Sequence, residues 1–270
     1  MNVAIISFLA VIAYLTAGVG LGMRLSRGQA APLGKTRLLL LGMGAVILHA
    51  LVLYQAIITP QGANLGFFNA TSLLTWMMAL LLLLAALVKP IENLGIALLP
   101  LAALALILAA VFPSDHIMSL QDGFSGLDVH IIISVLAYSL LSIAAVQAGL
   151  LAIQDIHLHD RHPGGFIRAL PPLQTAEKLL FQVLTVGFIL LTLSLLTGAI
   201  FLENIFAQHL VHKTSLSILA WIVFGILLWG RWRSGWRGRR AIRWTLGGFS
   251  VLVLAYIGSK LVLELVLGIK

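Results

Sequence analysis

Long apolar stretches alternate with short polar breaks along almost the whole sequence. Eight such stretches can be delimited, and they span residues 2 to 22, 38 to 58, 67 to 88, 94 to 112, 129 to 153, 179 to 201, 214 to 230 and 244 to 266. A helix needs about 20 mostly apolar residues to cross a hydrocarbon layer about 30 Å thick. The pattern therefore predicts an all-α, polytopic membrane protein, a bundle of about eight transmembrane helices.

Composition supports this prediction and leaves little room for a soluble domain. Hydrophobic residues make up 60% of the 270 positions and charged residues only 10%, whereas soluble domains are about one quarter charged. We therefore interpret residues 1–270 as a single transmembrane domain with short loops. The chain has no cysteine, which excludes disulfides, thiolate metal sites and covalent haem attachment through a CxxCH motif.

Basic residues are distributed unevenly between the alternate loops. Fourteen of the 17 fall on one side, and these are Arg24, Arg27, Lys35, Arg37, Lys89, Arg161, Arg168, Lys178, Arg231, Arg233, Arg237, Arg239, Arg240 and Arg243. Because cytoplasmic loops retain Lys and Arg, this side is predicted to be cytoplasmic. The prediction places both termini on the outer side of the membrane.

Two histidines within the apolar stretches are candidates for cofactor binding. His49 lies near the middle of the second stretch, where burying an ionisable side chain costs free energy. One interpretation is functional, as a cofactor ligand or a proton carrier. The other is structural, as a neutral imidazole hydrogen-bonded to a neighbouring helix. His130 opens the fifth stretch, with Tyr138 two turns further along the same face and Asp128 placed to orient the imidazole ring. The alternative for His130 is an interfacial polar role.

Other polar groups outside these two positions carry weaker signals. His209 and His212 are three residues apart, so a helical loop would bring both imidazoles to one haem edge or metal ion. The trio His157, His159 and His162 is read as a solvated turn rather than a metal site, because Pro163-Gly164-Gly165 follows it. Lys260 and Glu264 can neutralise each other at i and i+4, as an ion pair or as part of an ion path.

The loop from Trp232 to Arg240 combines tryptophan with arginine. Binding to anionic lipid headgroups and fixing of the topology explain it, and no nucleic-acid partner is expected. The sequence has no nucleophile elbow, P-loop, HExxH or dinucleotide fingerprint, so no enzymatic activity is expected.

Several of these features occur together in an order that resembles the CcsA/CcmC-type cytochrome c assembly superfamily, and most closely its YpjD-like branch of inner-membrane proteins. The resemblance extends over nearly the whole chain. It rests on His49 with its neighbours, on the segments 64–76 (NLGFFNATSLLTW), 130–139 (HIIISVLAYS) and 213–256, and most specifically on the loop GWRGRRA at 235–241.

The resemblance implies a multi-pass protein of a bacterial inner (plasma) membrane, with both termini on the periplasmic side. It also implies that the protein holds or passes haem during cytochrome c maturation, without covalent chemistry. By position, His49 resembles the family's first intramembrane histidine and His130 its first outer histidine. Trp229 and Leu267 stand where the family has its second intramembrane and second outer histidines, and the segment 207–217 lacks the tryptophan-rich WWD loop. A second axial ligand for haem would then come from His209, His212 or a group such as Lys260.

We therefore predict a haem-handling protein in which His49 and His130 face a common cavity. The expected partners are haem or haem-delivery proteins, membrane lipids and another membrane subunit. Two alternatives remain, an accessory or transport protein for divalent cation (magnesium or cobalt) efflux, and a structural partner subunit that has lost haem binding.

Overall fold

The computed structural model describes residues 2–60, 62–112, 117–118, 125–159, 170–201 and 211–258. Across these residues the chain is almost entirely helical. The helices are α1 (Val3–Arg27), α2 (Lys35–Ile57), α3 (Phe67–Val88), α4 (Gly95–Val111), α5 (Gly126–His159), α6 (Leu173–Phe201), α7 (Val211–Ser234) and α8 (Arg239–Val253). Seven of them are long and apolar enough to cross a membrane, which confirms the prediction of an all-α, polytopic membrane protein.

The chain divides into two compact units, residues 1–120 with 163–171, and residues 121–162 with 172–270. In the first unit, α1 packs against α2 and α4, and α3 packs against the same two helices, so the four form a bundle. Small residues allow close approach. A Cβ added at Gly18 in α1 would lie 3.0 Å from Cδ of Pro100, the proline inside α4. The single domain predicted for 1–270 stays a prediction.

One end of the first unit has a three-stranded antiparallel sheet that the hydrophobic pattern did not indicate. Strand β1 (Ile58–Thr59) continues from α2 and pairs with β2 (Gly62–Asn64), which leads into α3. Strand β3 (Ile117–Met118) then pairs with the free side of β2. The sheet therefore links the α2–α3 connection to the segment that follows α4.

In the second unit, α6 packs against α5 and α7, and α8 closes the ring by packing against α5 and α7. Its core includes fully buried Leu141 of α5, Leu180 of α6, and Phe224 and Leu227 of α7. Helix α8 is followed by a short π-helix, Leu254–Gly258. The remainder of the eighth predicted span, 244 to 266, lies outside the described residues.

Candidate functional site

His49 lies in a completely buried polar network at the centre of the first unit. The side chains of Tyr14 on α1, His49 on α2 and Ser72 on α3 are in residues with 0% exposure. Nδ1 of His49 lies 3.3 Å from the Tyr14 hydroxyl, and Nε2 lies 2.8 Å from the Ser72 hydroxyl. Both nitrogens of the ring therefore have hydrogen-bond partners, as a buried imidazole requires.

The network is consistent in either of two proton arrangements. Tyr14 can donate to Nδ1 while Nε2–H donates to Ser72, or Ser72 can donate to Nε2 while Nδ1–H donates to Tyr14. In both arrangements the imidazole is neutral, one hydroxyl donates to the unprotonated ring nitrogen, and the other accepts from the ring N–H. For Nε2 to bind a metal ion, the Ser72 hydroxyl would first have to move away.

His130 has a different environment at the start of α5 in the second unit. Its Nδ1 lies 3.0 Å from the carbonyl oxygen of Ser194 and 3.2 Å from the Thr197 hydroxyl, both on α6. Because a carbonyl oxygen only accepts, Nδ1 carries the proton and Nε2 holds the lone pair. The ring is partly exposed. His49 and His130 belong to different units, and their sharing of one cavity stays a prediction.

Among the residues that the structure describes, the Nε2 lone pair of His130 has one contact, a long one of 3.4 Å with the Ser134 hydroxyl. The Ser134 hydroxyl donates its single proton to the carbonyl oxygen of His130, 2.6 Å away, and so has none to give to the ring. Its oxygen instead accepts a hydrogen bond from the Ser194 hydroxyl at 2.7 Å. This arrangement, with Nδ1–H on a backbone carbonyl and Nε2 left as an acceptor, is the usual one for a histidine that binds a metal.

The prediction that Asp128 orients His130 is wrong. The Asp128 carboxylate accepts hydrogen bonds from the backbone N–H and the hydroxyl of Ser125, both at 2.8 Å. It therefore stabilises the first turn of α5, where a negative charge is favoured by the helix dipole. The α6 carbonyl at Ser194, 64 residues away in sequence, takes the orienting role.

Tyr138 lies two turns beyond His130 on α5, as predicted. Its hydroxyl donates to the carbonyl oxygen of Leu252 at 2.6 Å, just before the π-helix begins. Its ring packs against Tyr256, with 5.2 Å between ring centroids, and the Lys213 ammonium lies 5.3 Å from the Tyr256 centroid. Beyond His130 and Ser134, α5 therefore contacts a group that consists of two tyrosine rings and the Lys213 ammonium.

The remaining predicted positions are only partly covered. His209, Lys260, Glu264 and Leu267 lie outside the described residues, and His212 is in α7 with no description of its side chain. Among the residues that the structure describes, no group of three or more histidine or carboxylate side chains could hold a metal ion. Trp229, which occupies a family histidine position, is 63% exposed and packs against Trp232.

Two arginines near the basic loop have structural roles that the sequence did not indicate. Arg231 donates to the Glu177 carboxylate and to the carbonyl oxygen of Trp236, both at 3.0 Å, and its guanidinium lies over the Phe181 ring. Arg239 pairs with Asp155 of α5 at 2.7 Å. Alternating loop charge shows on which side a turn lies, but it cannot show which arginine pairs with which carboxylate.

The features together define a multi-pass membrane protein whose interior contains isolated, hydrogen-bonded histidines. The cytochrome C assembly protein family model matches residues 38–267. The chain therefore belongs to the cytochrome c assembly protein family, as the sequence motifs predicted.

Individual relatives agree with this assignment. The chain is 37% identical to inner membrane protein YpjD of Escherichia coli (strain K12) over 229 residues, which cover 82% of this chain and 84% of that protein. It is 35% identical over 144 residues to an uncharacterized 28.8 kDa protein of Azospirillum brasilense, covering 53% of each. It is 33% identical over 87 residues to the cytochrome c biogenesis protein CcsA of Prochlorococcus marinus (strain MIT 9303), covering 32% of this chain and 27% of that protein.

No solved structure matches the chain significantly. The chain is a multi-pass inner-membrane protein, as predicted. Two findings establish this: its similarity to a relative named as an inner membrane protein, and its seven apolar helices. The orientation of its termini stays a prediction.

Proposed function

We propose that this protein binds haem non-covalently in the membrane and acts in cytochrome c assembly, with His130 as an imidazole ligand. Family membership and the similarity to a relative named for cytochrome c biogenesis support a haem-handling role. The absence of cysteine excludes thioether attachment of haem to this chain. Partners would be haem or a haem-delivery protein, the surrounding lipids and another membrane subunit.

The observation that carries the proposal is the arrangement of hydrogen bonds around His130. Bound haem would supply an iron atom, and Nε2 of His130 would hold it. The carbonyl oxygen of Ser194 fixes the ring and its tautomer, and the Ser134 hydroxyl directs its proton at the His130 carbonyl rather than at Nε2. Tyr138 and Tyr256 would offer aromatic surface nearby, and Lys213 a positive charge.

A second ligand to the haem iron would come from another predicted site residue. His209 and His212 precede or begin α7, whose residue Lys213 lies over Tyr256 in the same unit as His130. In the first unit, His49 is the intramembrane candidate for a haem ligand. Nε2 of His49 could bind iron only after its hydrogen bond to Ser72 is broken. Binding through His49 would therefore lose the free energy of that hydrogen bond, whereas binding through His130 would not.

Haem titration of the purified full chain in detergent tests the proposal. We expect a Soret band in the wild-type protein that is lost or shifted in His130→Ala, because the axial imidazole is removed. His157→Ala is the matched control, since His157 is exposed on the same helix and its Nδ1–H donates to the Ile153 carbonyl oxygen of that helix. Added imidazole should restore the band in His130→Gly. An unchanged spectrum in His130→Ala would refute the assignment.

A second candidate, a structural partner subunit without haem, is supported by His49. Both nitrogens of its ring are already bonded within the first unit, so a purely architectural role would account for its burial. This role predicts that single substitutions at His49, His130, His209 and His212 each leave cytochrome c levels in cells unchanged, and that no wild-type Soret band forms on haem addition.

A further inference from the structure

The turn between α7 and α8 has a rigid internal framework. Gly235, with φ of 64°, ends α7 by donating its N–H to the carbonyl oxygen of Arg231 at 3.1 Å, and Gly238, with φ of 56°, precedes α8. A side chain at either position would be strained, because L-residues rarely adopt positive φ. The Trp236 ring packs against Gly230 and Trp244. The turn therefore has one defined shape.

The arginines around this turn fall into two groups with different surroundings. Arg231 and Arg239 are neutralised by Glu177 and Asp155, and they hold the turn against α6 and α5. Arg240 lies over the Trp236 ring, with 5.1 Å between its guanidinium and the ring centroid. The second group consists of exposed arginines that form no ion pair within the part of the chain described, and these are Arg233, Arg237 and Arg243.

Two tryptophans lie on the last turns of α7, where the chain also has Arg233 and, four residues further on, Arg237. Trp229 is 63% exposed and Trp232 is 76% exposed, and their rings contact each other edge to face at 5.2 Å. Tryptophan prefers the boundary between hydrocarbon and headgroups, where its ring is in an apolar environment and its N–H reaches water. The exposed tryptophan pair therefore indicates that this turn, with its exposed arginines, lies at the depth of lipid phosphates.

We propose that Arg233, Arg237 and Arg243, with Trp229 and Trp232 as anchors, form a binding surface for the phosphate headgroup of an anionic phospholipid. Glu177 and Asp155, the carboxylates that the structure shows paired at this turn, are already used by Arg231 and Arg239. Within the described residues, the other three arginines have no carboxylate partner, and a lipid phosphate would complement their charge. Arginine suits this role because its planar fork can donate two hydrogen bonds to one phosphate.

Retention of lipid by the full chain in detergent tests this surface. Native mass spectrometry would compare phosphatidylglycerol with phosphatidylcholine for wild-type protein and for Arg233→Gln/Arg237→Gln/Arg243→Gln. Each arginine near a lipid surface contributes roughly fivefold, so the triple variant should bind phosphatidylglycerol on the order of 100-fold more weakly. Folding should be preserved, because the three side chains removed are exposed and the pairs of Arg231 and Arg239 remain.

A matched control removes the same charge elsewhere. Arg24→Gln/Arg27→Gln/Arg37→Gln takes three arginines from the first unit, on the same predicted side of the membrane. It should retain phosphatidylglycerol as the wild-type protein does. Binding of phosphatidylglycerol to the wild-type protein should also weaken as salt increases, because screening acts on exposed charges.

Three results would overturn the proposal. The first is retention of phosphatidylglycerol by the arginine variant at the wild-type level. The second is an equal loss in the control, which would indicate an effect of total charge rather than of this surface. The third is displacement of the lipid by inorganic phosphate at equal concentration, which would indicate a site for the free ion.

Discussion

The buried network of Tyr14, His49 and Ser72 allows a sharp prediction of stability. Ser72→Ala removes the hydroxyl that lies 2.8 Å from Nε2 of His49 and leaves that nitrogen without a partner in a residue with no solvent exposure. Water cannot replace the lost hydrogen bond where the side chains are completely buried. The substitution should therefore destabilise the protein, although it removes only one atom other than hydrogen.

The size of the effect follows from two opposing considerations. Leaving a buried polar atom unsatisfied costs about 1–3 kcal/mol. Hydrogen bonds between transmembrane helices average about 0.6 kcal/mol and reach about 1.7 kcal/mol, because the unfolded chain in the membrane finds other partners. We expect a loss of about 1–2 kcal/mol. For a chain of this size each kcal/mol corresponds to about 2–4 °C in Tm, so the midpoint should fall by roughly 2–8 °C.

Thermal unfolding of purified variants in one detergent measures this loss. Ser26→Ala is the matched control, because its hydroxyl is exposed and donates to the Met23 carbonyl of the same helix. It should change the unfolding free energy by less than about 0.5 kcal/mol. The variant Tyr14→Phe/His49→Leu/Ser72→Ala should recover most of the stability lost in Ser72→Ala, because it removes all the polar atoms together.

Either of two results would refute this reasoning. Equal midpoints for Ser72→Ala and Ser26→Ala would mean that the hydrogen bond to His49 contributes nothing. A variant lacking all three polar groups that is less stable than Ser72→Ala would mean that the network stabilises the bundle beyond satisfying its own members.

Two further predictions concern the second unit. A Cβ at Gly187 would lie 2.9 Å from Cδ2 of Leu141, so Gly187→Val should lower the unfolding free energy by about 1–3 kcal/mol. Gly149 has open space around it, so Gly149→Ala should raise the unfolding free energy by about 0.5–1 kcal/mol. Equal thermal midpoints for the two variants would contradict this prediction. Tyr138→Phe removes the hydroxyl that donates to the Leu252 carbonyl oxygen, so it should lower the unfolding free energy by about 1 kcal/mol in the same assay. Amide hydrogen exchange in residues 253–258 should increase. Unchanged exchange there would contradict a role of Tyr138 in stabilising the π-helix.

Hydropathy predicted the helices of this protein well and their ends poorly. The fifth stretch was expected at 129 to 153, and α5 extends over Gly126–His159. Hydropathy detects only the part of a helix within hydrocarbon, whereas the helix continues through interfacial residues such as Gln154 and Asp155. Helix α8 likewise begins at Arg239, five residues before the predicted stretch, because arginine is a good helix former that hydropathy excludes.

The candidate site was predicted at the level of single residues and not of partners. The depth of His49 followed from its position in an apolar stretch, but Tyr14 and Ser72 are 35 and 23 residues away and look ordinary in the sequence. The same applies to Ser194, which orients His130 through a backbone carbonyl and so leaves no trace in residue identity. Helix packing decides which side chains meet, and the pattern of apolar and polar residues does not show how the helices pack.

The network around His49 also has a consequence for biosynthesis. Helices α1, α2 and α3 leave the ribosome in that order, so His49 can meet Tyr14 when two crossings exist, but its Nε2 has no Ser72 until the third is inserted. A polar atom facing lipid without a partner costs several kcal/mol. The insertion machinery must therefore retain α2, or tolerate its exposed imidazole, until α3 arrives, and the first unit is complete only when its third crossing is made.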